Sequence, residues 1–125
     1  MFELKVLSRF AAAHRLTMVA HQCENLHGHN WKIEVCIAGK TLGEGGVLVD
    51  FTIIKKHVRD VINRMDHTYL NELPQFTTTP PSSEHLAHYI AEEVQMLLPE
   101  KERYWVSRVH VWESDDSCAT FIVER

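Results

Sequence analysis

His27 and His29 flank Gly28, and side chains at i and i+2 project to the same side of an extended strand, roughly 6.5 to 7 Å apart. A slight bend at the glycine brings both rings onto one ion. Cys23 lies four residues before His27, so a thiol accompanies the imidazoles. Zinc favours nitrogen and sulfur ligands in a tetrahedron, and a catalytic site keeps one position for water or substrate. A further ligand must come from elsewhere, and His14 is the candidate, with His21 as competitor. Cys23 has two functional readings. As a ligand it closes the tetrahedron and makes the zinc structural; as an unligated thiol beside a cation it becomes a base or nucleophile.

Other residues carry weaker signals. Asp66 and His67 form an adjacent acid and imidazole, which can act as an oriented proton shuttle, although a helix C-terminal histidine favoured by the dipole is the commoner case. Glu113 shares strand parity with Val109 and Val111, which places a carboxylate on a largely apolar face unless the strand ends there. Buried, it requires a partner with bidentate or cationic donors. His85 and His88, and the Lys55, Lys56, His57 and Arg59 group, read as solvated helix faces, and Cys36 and Cys118 as small buried hydrophobes within strand patterns.

These residues need elements to position them. Phe2, Leu4 and Val6 alternate with Glu3 and Lys5 in a strand running toward Phe10, with His14 just beyond. Trp31, Ile33, Val35 and Ile37 form a second strand, and His27 and His29 share their parity, so the imidazoles extend its inner face. From Phe51 to Met65 the period becomes helical, with Asp50 as cap. A second helix follows Pro80 and Pro81, capped by Ser82 or Ser83 and ended by Pro99. Two more strands, through Val106, Val109 and Val111 and then Ala119, Phe121 and Val123, join through Ser114 to Ser117. The order is ββααββ.

Size and charge bound the rest. The chain has 125 residues with 45% hydrophobic content, enough for one core, so residues 1–125 are expected to form one domain. A domain this small leaves little wall for a deep cleft, which favours a pocket shared between subunits of a homo-oligomer. The net charge of −4, without a basic cluster, argues against a nucleic-acid partner. Three cysteines, no leader-like N-terminal run and no apolar stretch near the roughly 20 residues of a membrane span lead to the expectation of a cytoplasmic protein without a membrane partner.

In this order the parts resemble the 6-pyruvoyl-tetrahydropterin synthase family over nearly the whole chain. The carrying motifs are Phe10 Ala11 Ala12 Ala13 His14 Arg15 Leu16, the Cys-x-x-x-His-Gly-His run from Cys23 to His29, and Asp66 His67 followed by Tyr69 Leu70 Asn71. Pro81 Ser82 Ser83 Glu84, with serine where the family has threonine, and the late strand Glu113 complete them. The resemblance implies an α+β tunnelling fold: a four-stranded antiparallel sheet with two helices on one face, closed into a trimeric barrel and stacked as a hexamer.

The resemblance also implies zinc on His14, His27 and His29, with Cys23 as catalytic base, Asp66 and His67 as proton-transfer partners, and Glu113 as anchor of the pterin ring. Ser82 and Ser83 would add contacts to the substrate. The implied reaction is that of the family's 6-carboxytetrahydropterin-forming members: 7,8-dihydroneopterin triphosphate gives 6-carboxytetrahydropterin, acetaldehyde and triphosphate on the way to queuosine. Glu24 sits three residues before His27, where folate-type members carry a glutamate and release 6-hydroxymethyl-dihydropterin, so the segment holds both bases. Formation of 6-pyruvoyl-tetrahydropterin is a further alternative, and a non-catalytic zinc-stapled module is the rival outside enzymology.

Overall fold

A computed structural model of the protein describes residues 1–16 and 26–125, with the backbone alone at His27. The elements are β1 (Phe2–His14), β2 (His27–Gly39), α1 (Phe51–Ile62), β3 (Thr68–Tyr69), α2 (Ser83–Leu97), β4 (Tyr104–Ser114) and β5 (Ser117–Ile122). They form one sheet in the order β3-β1-β2-β4-β5.

β1 and β2 pair antiparallel along their full length, from Phe2 opposite Gly39 to His14 opposite His27. This register sets Val6 against Val35, Phe10 against Trp31 and Ala12 against His29. β4 continues the face, with Val109 opposite Val35 and Val111 opposite Ile33. The apolar side chains among these share one buried cluster with Ile54, Val58, Val61 and Ile62 of α1 and with Leu86, Ile90 and Val94 of α2. Both helices therefore cover the same side of the sheet, as expected.

The sheet itself departs from expectation: it has five strands and is mixed rather than four-stranded and antiparallel. The extra strand is two residues long, with Thr68 and Tyr69 parallel to Ala12 and Ala13 of β1. A segment this short has no period to read; it is held by contacts distant in sequence, the Ala11 amide donating to Asp66 Oδ1 (3.0 Å) and the His67 amide donating to the Ala11 carbonyl (2.6 Å).

The helix caps follow their chemistry. Asp50 Oδ1 accepts from the Thr52 amide (2.9 Å) and Ser82 Oγ from the His85 amide (3.1 Å), each satisfying a first-turn N–H. α1 stops at Ile62 rather than Met65, and the chain turns through residues 63–67. In β4 the register slips between Cys36 and Ile37 of β2, so Val106 and Val109 face the core although three apart. Ser107 is the extra residue, and its hydroxyl bonds Glu3 Oε2 at 2.7 Å. Cys36 is fully buried and burial pushes its thiol pKa up, in keeping with an inert core residue. Cys118 corrects its expectation: it is exposed, because β5 is the sheet edge and Cys118 lies in antiphase to Ala119 and Phe121.

Candidate metal and substrate site

Beyond the last apolar pair, the helix-facing side of the sheet changes character. His14 ends β1, His29 lies near the start of β2, and Glu113 follows Trp112 near the end of β4. Their ligand atoms lie within 4.8 Å of one another. Glu113 Oε1 is 2.9 Å from His29 Nε2 and 3.7 Å from His14 Nε2. Two donors on one tetrahedral zinc lie about 3.4 Å apart, given bond lengths near 2.1 Å, so these separations straddle what a divalent ion requires. Two imidazoles and a carboxylate are also a donor set that zinc accepts. The residues present fit a metal ion.

The imidazoles are built in from behind. His14 is buried, 1% exposed, and its Nδ1 lies 2.9 Å from the Pro81 carbonyl. A carbonyl only accepts, so Nδ1 carries the proton and Nε2 of the neutral ring keeps its lone pair toward the cluster. Trp31, fully buried, meets both rings edge-on, with centroids 5.1 Å from His14 and 5.1 Å from His29. Its Nε1–H donates to the Ala12 carbonyl at 3.2 Å, which fixes the indole. The alternation of β2 marks Trp31 as a core residue; its place as the floor of the site was not legible, nor was the Pro81 carbonyl behind His14.

Of the remaining candidates, Ser83 reaches the cluster: its hydroxyl donates to Glu113 Oε2 at 3.3 Å. Ser82 instead spends its hydroxyl on the α2 cap. Glu113 is thus engaged at both oxygens and stands against the histidines themselves, a closeness that strand parity does not reveal.

Asp66 and His67 sit on the other side of β1 from β2, two strand spacings or about 10 Å from His29 across the sheet. His67 Nδ1 is 3.0 Å from Asp66 Oδ1, and the His67 ring is largely exposed. Its backbone holds φ = 58°, a left-handed conformation that costs a non-glycine residue energy and accumulates at functional positions. The Ala11 N–H holds the Asp66 carboxyl below its usual pKa; burial opposes this, and contacts with His67 reinforce it. His67 and His29 both line a surface hollow of about 340 Å³ floored by Ala11, Ala13 and Gly28. The hollow lies on the strand face turned away from the helices, so the pair stands apart from the ligand cluster.

Cys23, Glu24 and His21 lie outside the described residues, as does the side chain of His27, whose backbone stands opposite His14.

The comparisons with known proteins bear on this arrangement. The chain is 38% identical over 115 residues to an Archaeoglobus fulgidus protein that carries the provisional name 6-carboxy-5,6,7,8-tetrahydropterin synthase, covering 91% of this chain and 90% of the relative. It is 31% identical over 107 residues to the dihydroneopterin monophosphate aldolase of Pyrococcus furiosus, covering 86% and 85%. The structure of Caenorhabditis elegans 6-pyruvoyl tetrahydropterin synthase superposes with a TM-score of 0.86 at 24% identity, covering 98% of this chain and 96% of that one, and shares the fold. The model of the 6-pyruvoyl tetrahydropterin synthase family matches residues 3–124, and the chain belongs to that family.

Proposed function

We propose that the protein is a zinc-dependent lyase that converts 7,8-dihydroneopterin triphosphate and water to 6-carboxytetrahydropterin, acetaldehyde and triphosphate, the deazapurine step toward queuosine. The observation that carries this reading is the convergence of His14, His29 and Glu113 at the open end of a strand face in a member of this family. The Archaeoglobus relative's name points to the same product.

His14, His29 and, by the resemblance, His27 would hold the ion, with the Pro81 carbonyl fixing the His14 tautomer. Bound there, zinc supplies Lewis-acid chemistry, lowering the pKa of side-chain hydroxyls and polarising a developing carbonyl. Glu113 anchors the ring by accepting from its N–H and exocyclic amino group, and Ser83 orients the carboxylate. Ser82 contributes by starting α2 where Ser83 must stand. Cys23, as thiolate, takes the side-chain proton, and Asp66 holds the His67 ring that relays it.

A second reading rests on Glu24 beside Cys23 and on the Pyrococcus aldolase. With Glu24 as base, the same site would release 6-hydroxymethyl-dihydropterin. Incubating the zinc-loaded protein with 7,8-dihydroneopterin triphosphate under reducing conditions and identifying products by mass spectrometry separates the two. Carboxytetrahydropterin with acetaldehyde is expected; hydroxymethyl-dihydropterin moves the protein to the second reading, and no turnover contradicts both.

The assembly belongs to the same proposal. Among the described residues, the outer edge of β1 is engaged only at its end, from Ala11 onward, and β5 forms the opposite edge. Unpaired edges of this length invite pairing with another chain, which supports a trimeric barrel and a hexamer of two such rings. No helix among the described residues is long and apolar enough to cross a membrane, and the cytoplasm is the proposed location.

A further inference from the structure

The geometry points to a second task for Glu113: its carboxylate is a ligand of the metal centre in the substrate-free enzyme, and the arriving pterin ring draws it away. This rests on the metal-dependent pterin reading above and deepens it.

The three donors are not held alike. His14 is buried against Trp31 and tied to the Pro81 carbonyl, and His29 packs on the same indole with only 19% of its side chain exposed. Glu113 is the most exposed, at 35%, and sits where the β4–β5 register breaks between Trp112 and Ser114. A register break lets the backbone re-aim a side chain. Its two oxygens already face different partners, Oε1 the imidazoles and Oε2 the Ser83 hydroxyl. It is therefore the donor that can leave at least cost.

The exchange has a chemical consequence. A ring offering adjacent N–H and NH₂ donors competes for both oxygens at once, so the carboxylate leaves the ion only for a ligand of pterin type. Its departure opens the coordination position that the substrate's hydroxyls need. Metal access is thereby tied to ring recognition, an induced fit built from one side chain. No covalent bond is made or broken in this step.

The test uses the full chain loaded with cobalt(II), whose d–d absorption reports its ligands. Glu113→Gln is expected to weaken cobalt affinity by about a hundredfold or more, beyond what loss of an outer-shell partner costs, and to move the absorption band. Unsubstituted pterin, which has the ring donors but no side-chain hydroxyls, should move the wild-type band in the same direction and leave the variant's band in place. Unchanged affinity and spectrum in Glu113→Gln would overturn the inference. So would wild-type protein that binds pterin, followed by pterin fluorescence, without a change in the cobalt band, a result that needs no variant to fold. Wild-type protein that takes up no cobalt would sink the metal reading itself along with the exchange.

Discussion

The helix-facing side of the sheet has a middle and an end, built on one parity and used in opposite ways. In the middle, Ile33, Val35, Val109 and Val111 are all fully buried beneath α1 and α2. At the end, the same alternation delivers His29 and Glu113 beside His14. Trp31 joins the two: it stacks on Phe10 on the core side and meets both imidazoles on the other. Strands that run past their helical cover can exchange packing for chemistry without changing pattern, because an extended strand presents every second residue to the same face whatever it carries.

Substitutions should divide along the same line. Ile33→Ala, in the dry middle, is expected to lower unfolding free energy by about 2–5 kcal/mol while the folded fraction still binds metal, checked by denaturant titration and metal analysis. His29→Ala should do the reverse. Its ring packs on Trp31 but lies outside the apolar cluster, so stability should fall less than in Ile33→Ala, whereas zinc affinity should fall about a hundredfold or more in chelator competition, beyond the outer-shell range. Equal stability losses in both variants would erase the distinction between the two regions.

Ser83→Ala tests the boundary more finely. It removes the donor to Glu113 Oε2 but no proposed ligand, so KM for the pterin substrate should rise several-fold, the loss of about one hydrogen bond to a charged group, with zinc content unchanged.

The Asp66 edge gives the smallest effect. Its folded pKa lies below the ordinary 3.8, so its contribution to stability is present above that value and is lost as pH falls through the depressed one. Asp66→Asn should flatten this acid limb in thermal unfolding below the ordinary aspartate range and leave melting at neutral pH nearly unmoved. An unchanged acid limb would mean that the Ala11 amide does not hold the charge.

Much of this arrangement was legible in the sequence because it rests on local rules. Parity alone places His29 with Trp31 and Ile33, and Glu113 with Val109 and Val111; Asp50 and Ser82 start helices for reasons contained within a single turn. What escaped depends on contacts between distant residues. β3 is held to β1 by Asp66 and His67 gripping Ala11 from far along the chain, and Cys118 is exposed because it lies on the side of edge strand β5 opposite Phe121, which packs against His88 of α2. The approach of Glu113 to the imidazoles required the β2–β4 register, Lys32 opposite Trp112, which no periodicity encodes.

The most direct measurement is zinc stoichiometry at the end of the sheet. After equilibration with zinc and removal of excess, elemental analysis should find one ion per wild-type chain and almost none in a folded His14→Ala variant. Wild-type protein without zinc, or full retention in the variant, would contradict a metal centre built on the strand face.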